Sequence, residues 1–486
     1  MPFETGLAVN ESSRGGAGDA GSGRDLFLDL ELRRGRLRRN LRGALRTAIQ
    51  DGRLPAGARL PSSRRLAADL DVSRGVVTDT YDQLAAEGYI AMRERRAPVV
   101  VGAARTTPAT VEPERRPWSH DFVASTPDVE LFPRRAWLRA TERALRTAPN
   151  DVLDYGDHRG RIELRTALTH YLARVRGIRV DPERIVVAQG FTQSLDLVGR
   201  VLAARGVTTI ICETPSLPSV WDTVRASGLR IAACPVDGSG LRTDLLPDLG
   251  RSAVLVTPAH QFPTGAVMTP ERRAALLAWA AGGDRLIIED DYDAEFRYDR
   301  LAVGALQGID PGRVVNLGTT SKTLSPGVRL GWMSLPAGMV DEVRAAKAAA
   351  DSGSPAIEQL VLADLIASGE YDRHVARARH VYRRRRDRLV AAVSRHMPGL
   401  RVEGVAAGLH VLLRLPDAID DRAVAAAAEL DGIRVGAVSA MSIDGAPDKG
   451  LLLGYGRLPA ERIDEAVAAL AVRVAAANVT GQLPSP

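Results

Sequence analysis

The chain has 486 residues, 45% of them hydrophobic and 26% charged, with a formal net charge of +6. That balance belongs to a globular protein of roughly three structural units, and no apolar run reaches the ~20 residues of a membrane span. Two cysteines, Cys212 and Cys234, exclude a disulfide framework and a cysteine metal cluster and read as buried, reduced thiols. The first residues lack a charged start followed by an apolar stretch, so no signal peptide and a cytoplasmic location are expected. The charge is unevenly placed. Residues 31–96 hold 15 arginines, no lysine and eight acids, net +7, which leaves the rest of the chain near neutral. A basic module on a neutral body points to a polyanion partner for that module alone.

Along the chain, residues 1–24 are rich in Gly and Ser and are expected to be a disordered tail. Residues 25–101 form a compact basic module. Residues 102–120, with Pro108, Pro113 and Pro117, are expected to be a linker. From 121 to 480, short β-branched runs alternate with helical patterns: IVVA (185–188), TIIC (209–212), AVLVTP (253–258), RLIIED (285–290) and VVNLG (314–318). This alternation predicts a mostly parallel sheet with helices on both faces. Beyond about residue 395 the pattern becomes a smaller α/β unit that ends in an amphipathic helix.

In the basic module, Leu37, Leu41, Leu45 and Ile49 mark a first helix, broken at DGRLPAGARLP (51–61). Ser62 or Ser63 caps a second short helix, and a turn at Leu70-Asp71-Val72 leads to Ser73, which caps a third helix stopped by Gly88. Two short helices joined by such a turn make a helix-turn-helix whose second helix offers its N-terminal residues to the major groove. The candidates are Arg74, Gly75, Val76 and Thr78, with Ser73 at the helix start for a phosphate and Arg64 for a phosphate or a guanine edge. YIAMRERRAPVVVG (89–102) follows as a wing with Arg93, Arg95 and Arg96 at its tip. The strings GRLPAGARLPSSRRLAADLDVSRGVV and YDQLAAEGYI resemble the GntR family of bacterial regulators. The wing departs from that family in reading RERRAP where glycines are usual.

Four separate strings in the large domain suit an aldehyde cofactor that carries a phosphate. TTSKTLSPGVRLG (319–331) places Lys322 just after a strand, with Thr319, Ser321 and Arg329 as phosphate donors. LIIEDDYDAEFRY (286–298) ends a buried strand on Asp290, a carboxylate for a protonated ring nitrogen, with Tyr292 two residues on for a ring oxygen. VVAQGFTQSLDLV (186–198) is strand, loop and helix, and the N–H groups of Gly190, Phe191 and Thr192 suit a phosphate. In TPAHQFPTG (257–265), His260 and Gln261 follow a strand end and are placed to face the ring. Each string alone also has an ordinary structural reading; their order along the chain is what makes them jointly informative.

Together the strings resemble the fold-type I aminotransferases over about 121–480. The whole chain resembles the MocR/GabR subfamily of GntR regulators, as LDYGDHRGRIELRTALTHYLARVRGI (153–178) and GLLLGYGRL (450–458) also do. The resemblance implies pyridoxal 5'-phosphate as cofactor, Lys322 as its Schiff-base lysine, Asp290 as the ring-nitrogen partner and Tyr292 as the 3'-oxygen donor. It also implies an approach of Tyr155 to the site from a partner subunit, a head-to-tail homodimer, and a double-stranded DNA operator as partner. Two departures stand out. ETPSL (213–217) supplies Leu217 where an aromatic residue commonly stacks on the ring, which leaves Phe191 as a stand-in. A residue near Leu451 takes the place of the arginine that clamps a substrate carboxylate, with Arg457 nearby. The expected function is therefore an operator-binding regulator that responds to the cofactor or to an amine reacting with it. The alternatives are a working aminotransferase with an accessory DNA-binding module and a cofactor-free dimerisation scaffold.

Overall fold

The computed structural model describes residues 37–93, 96–101, 118–298, 303–443 and 449–481. The expected tail (1–24), Arg95, the side chain of Arg93 and most of the expected linker lie outside them. The chain divides into two compact units between Arg115 and Arg116.

The first unit contains three helices, α1 (Leu37–Gln50), α2 (Ser63–Asp69) and α3 (Arg74–Ala86), then the antiparallel pair β1 (Ile90–Arg93) and β2 (Arg96–Val100). Leu41, Leu45, Leu66, Val77, Tyr81 and Leu84 form its core with Ile90 and Val100 from the hairpin. Ser62 caps α2 by accepting from the Arg65 N–H. Asp71 takes a left-handed conformation (φ 51°) in the turn before Ser73. These features are a helix-turn-helix with a wing.

In the second unit Ser119 and His120 already bond to Gly432, so the extended chain expected through residue 120 is anchored from Ser119 onward. The strand β3 (His120–Asp121) precedes helices α4 (Arg134–Thr147) and α5 (Ile162–Arg176). Strands and helices then alternate: β4 (Ile185–Ala188), α6 (Phe191–Ala204), β5 (Thr209–Thr214), α7 (Pro218–Ala226), β6 (Arg230–Asp237), β7 (Gly240–Leu241), β8 (Ser252–Val256), α8 (Pro270–Ala281), β9 (Arg285–Asp291), β10 (Val314–Thr319) and β11 (Gly331–Ser334). They form one eight-stranded sheet in the order β4-β11-β10-β9-β8-β5-β6-β7. β4, β10, β9, β8, β5 and β6 run in one direction, β11 against them between β4 and β10, and the short β7 against β6 at the edge. Every residue of β4, β5, β8, β10 and β11 is buried, as a sheet covered on both faces requires.

Helices α9 (Val340–Asp351), α10 (Ala356–Ala367) and α11 (Glu370–His396) lead to the smaller layer. There β12 (Arg401–Glu403), β13 (His410–Arg414), α12 (Asp421–Leu430), β14 (Ile433–Arg434), β15 (Gly436–Ala437), β16 (Gly450–Gly454) and α13 (Ile463–Gly481) follow. β12, β13, β16 and β15 make an antiparallel sheet, and β14 pairs with β3. Cys212 and Cys234 are buried and unpaired. No described helix is long and apolar enough to cross a membrane.

One ion pair is central to the large sheet. Arg176, at the end of α5, grips Asp291 of β9 with two hydrogen bonds of 2.5 and 2.7 Å, and both side chains are almost fully buried. Removing one member leaves the other charge buried without a partner. Asp291→Ala should therefore cost about 3–5 kcal/mol of stability, read as a lower urea midpoint for the second unit; a midpoint shift worth less than about 1 kcal/mol would show that Arg176 finds another acceptor.

Candidate functional site

In the first unit the residues expected at DNA share an accessible face. Arg64, Ser73, Arg74 and Gly75 are exposed, Val76 and Thr78 half-buried, and Arg96 exposed on the wing. The Ser73 hydroxyl makes no capping bond, which leaves it and the first N–H groups of α3 for an outside acceptor. Arg74 Nε lies 3.4 Å from Ser63 Oγ, which steers the guanidinium along the start of α3. Thr78 Oγ1 donates back to the Arg74 carbonyl. A Cβ on Gly75 would meet nothing within 4 Å, so another surface has room to approach the helix there.

In the second unit the four strings converge on the C-terminal edge of the parallel strands, where open α/β sheets bind their ligands. Gly190–Thr192 follow β4, His260 follows β8, Asp290 lies in β9, and Thr319–Lys322 end β10. Arg329 and Gly331 reach the same edge because β11 runs antiparallel. Gly190 (φ 94°) is the N-cap of α6 and offers no side-chain cap. A Cβ on Gly190 would stand 3.4 Å from Arg329 Nη1, so the guanidinium lies across the helix start. Thr319 Oγ1 donates to Ser321 Oγ at 2.9 Å. Helix N–H groups, two hydroxyls and the exposed Arg329 guanidinium together suit a phosphate.

The ring end is buried and acidic. Asp290 Oδ1 is buried with no hydrogen-bond partner among the described residues, a costly arrangement that a ring N–H would satisfy. Burial raises the Asp290 carboxyl well above its ordinary value; Asp291 and Asp293 add to the effect, and the Lys322 ammonium opposes it. Burial lowers the Lys322 ammonium, and the charges of Asp293 and Asp290 oppose that. A lysine held this way more readily becomes the neutral amine that attacks an aldehyde. His260 Nδ1 lies 2.8 Å from Asp293 Oδ2 and 3.1 Å from the Tyr292 hydroxyl. A carboxylate accepts, so Nδ1 carries the proton. Burial raises the Tyr292 hydroxyl well above its ordinary value, and the charge of Asp293 and a hydrogen bond to its carboxylate add to the effect. The lone Asp290 oxygen, the Tyr292 hydroxyl, the Lys322 amine and the start of α6 with Arg329 suit the ring nitrogen, 3'-oxygen, aldehyde and phosphate of pyridoxal phosphate.

Other sequence candidates are placed differently. Gln261, expected to face the ring, spends its amide on the turn and on the segment after β5: Nε2 donates to the Phe262 and Pro215 carbonyls, and Oε1 accepts from the Thr264 N–H and hydroxyl. Phe191 packs against the apolar cluster beneath α6. Leu217 is 41% exposed and Tyr155 is 88% exposed. Leu451 is fully buried in β16, opposite Leu413. Arg457 lies 3.9 Å from Asp121 and lines a separate cavity with Asp128 and Arg385.

Sequence reasoning missed Asp293, His410 and Ser125. His410 Nε2 donates to the Pro263 carbonyl, and Ser125 Oγ lies 3.1 Å from its Nδ1. Burial and the neighbouring His260 push His410 down to about 3, so it is neutral; the two rings lie 5.2 Å apart. A Cβ on Gly408 (φ 69°) would come 2.2 Å from His260 Cε1, so glycine there is what lets His260 fit. Asp293 lay in a string already singled out, and its spacing from Asp290 was the available signal. Nothing local marks His410 or Ser125, which meet only through the fold.

Comparison with known proteins follows this division. Residues 37–100 match the bacterial regulatory proteins of the gntR family, and residues 125–470 match aminotransferase class I and II. The chain is 31% identical to the probable rhizopine catabolism regulatory protein MocR of Rhizobium meliloti, covering 92% of this chain and 96% of that one. It is 33% identical to the pyridoxine biosynthesis transcriptional regulator PdxR of Corynebacterium glutamicum, covering 85% and 90%. Among solved structures, an archaeal alanine:glyoxylate aminotransferase aligns with a TM-score of 0.68 at 29% identity, over 74% of this chain and 91% of that one. The chain therefore belongs to the MocR-type helix-turn-helix transcriptional regulators, a GntR DNA-binding domain joined to a class I and II aminotransferase domain.

Proposed function

We propose that this regulator holds pyridoxal 5'-phosphate on Lys322 and that the cofactor, or an amino compound reacting with it, alters operator binding. The observation that carries this reading is the buried Asp290 oxygen without a partner, on the same sheet edge as Lys322 and the Gly190–Arg329 cradle. When bound, the cofactor supplies an electrophilic carbon that captures primary amines. The chain's own residues do the rest. The start of α6 and Arg329 would hold the phosphate, Asp290 would pair with a protonated ring nitrogen, Tyr292 would hydrogen-bond the ring oxygen, and Lys322 would supply the amine that bonds the aldehyde carbon. Differential affinity of the effector for two conformations then shifts the population competent for DNA. The role of PdxR in pyridoxine biosynthesis favours genes of vitamin B6 metabolism as targets, with amino-acid metabolism as the alternative. A head-to-tail homodimer in the cytoplasm is the assembly this reading takes, with exposed Tyr155 turned to a partner's site.

A working aminotransferase is the second reading, and the grouping of Asp290, Tyr292 and Lys322 at one sheet edge favours it. Leu451 stands against it. A buried leucine paired across β16 and β13 has no guanidinium for a substrate carboxylate, and positioning substrate is much of what such an enzyme contributes. Amine turnover by purified protein should stay below about one per second; faster turnover makes the domain an enzyme first.

Protein mixed with pyridoxal phosphate should show the visible absorbance of a lysine-bound cofactor, absent in Lys322→Ala. Asp290→Ala should weaken cofactor affinity by roughly 10–100-fold, the worth of a charge-assisted hydrogen bond; unchanged affinity in a spectroscopic titration removes Asp290 from the ring nitrogen. Arg64→Ala and Arg74→Ala should each weaken operator binding at least about tenfold in a gel-shift titration and leave the cofactor spectrum intact. Full operator affinity in both variants rules out this face as the DNA contact.

A further inference from the structure

A cavity of about 590 Å³ opens in the second unit between segment 128–130, α11 and the residues that follow β16. None of the cofactor-cleft residues lines it. Its size lies within the range of small-molecule sites. Two of its charges neutralise each other: Asp128 and Arg385 pair at 2.7 Å, both side chains 11% exposed. Arg385 also donates to the Gly456 carbonyl, which fixes the cavity wall. The remaining charges are not paired off. Among the described residues Arg457 has only Asp121, at the long distance of 3.9 Å. The side chains of Arg384, Glu130 and Glu461 have no ion-pair or hydrogen-bond partner among the described residues.

Two guanidinium groups and two carboxylates thus share one concave surface without satisfying one another. A simple anion would gain from the arginines and be repelled by the glutamates, and a simple cation the reverse. A ligand that carries both signs gains from both pairs. We propose that this cavity binds a zwitterionic amino acid, its carboxylate on Arg384 and Arg457 and its ammonium on Glu130 and Glu461. The site is separate from the cofactor and does not depend on it.

Its position also matters. A Cβ on Gly456 would come 2.0 Å from the Thr126 carbonyl, so the wall after β16 lies directly on segment 125–130. Ser125, three residues before Asp128, bonds His410, whose ring lies against His260 in the cofactor cleft. One short stretch of chain therefore borders both sites.

The test is calorimetric titration of the full chain after borohydride reduction, which fixes any bound cofactor on Lys322 and stops it reacting with amines. The probes are ω-amino acids from glycine to 6-aminohexanoate, with acetate and ethylammonium as half-ligands. At least one zwitterion should bind saturably. Its affinity should fall about tenfold or more in Arg384→Gln and in Glu461→Gln, as the loss of a charged hydrogen bond predicts. Both positions are exposed, so thermal melting of the variants should match the parent; Arg457→Gln replaces any variant that does not. Absence of saturable binding by every zwitterion overturns the proposal, as does acetate binding equally well or affinity unchanged in the variants. Because the cofactor is fixed or absent, such a failure leaves the Lys322 reading standing.

Discussion

The register of one strand decides the chemistry of the large domain. β9 ends in three consecutive carboxylates, Glu289, Asp290 and Asp291, in a sheet covered on both faces. Alternation sends Asp290 to the side of Ile288 and the apolar cluster beneath α6, and sends Glu289 and Asp291 to the other side. There Glu289 accepts the Leu306 and Gln307 N–H groups, and Asp291 is gripped by Arg176. A slip of one residue would exchange the three roles. The Arg176–Asp291 pair and the parallel pairing of Leu317 with Asp290 hold the register, and so set Lys322, five residues beyond Leu317, against the correct carboxylate.

Backbone approach is the second constraint. Gly318 carries the Trp332 ring where a Cβ would stand 2.3 Å from it, and a Cβ on Gly331 would come 2.9 Å from the Gly190 Cα. These contacts draw β10, β11 and the start of α6 together into one wall. That closeness lets Arg329, itself left-handed at φ 54°, lie over the first turn of α6. Strain at Arg329 is thus part of how a distant guanidinium reaches the helix terminus.

Much of this was legible from the sequence because it is local. β-branched runs mark buried strands, a glycine marks the start of α6, and a carboxylate marks the end of β9. Ser62, Gly75 and the turn at Asp71 are local in the same way. Less legible were features that exist only after folding. β11 is four residues long and inserts against the direction of its neighbours, a choice no periodicity encodes. Gln261 reads as a ring contact because it follows a strand end, yet three hydrogen bonds within its own turn and one to the Pro215 carbonyl consume the amide. Ser125 and His410 are 285 residues apart in sequence and 3.1 Å apart in space.

The distribution of arginines separates holding a cofactor from turning over a substrate. Asp290, Tyr292 and Lys322 stand at the sheet edge with the start of α6 and an exposed Arg329, while no aromatic residue stands at Leu217. Leu451, by contrast, is buried between β13 and β15, so the small domain contributes packing where a substrate carboxylate would need a cation. Arg457 is six residues further along and lines a different cavity. On the proposed reading, a cleft built this way would keep an amine-reactive carbon in place but leave the amine's other end unrecognised. Selectivity among amines must then come from shape within the cleft or from groups outside it, and loose positioning is far less harmful to an equilibrium sensor than to a catalyst, because sensing needs differential binding and not an aligned transition state.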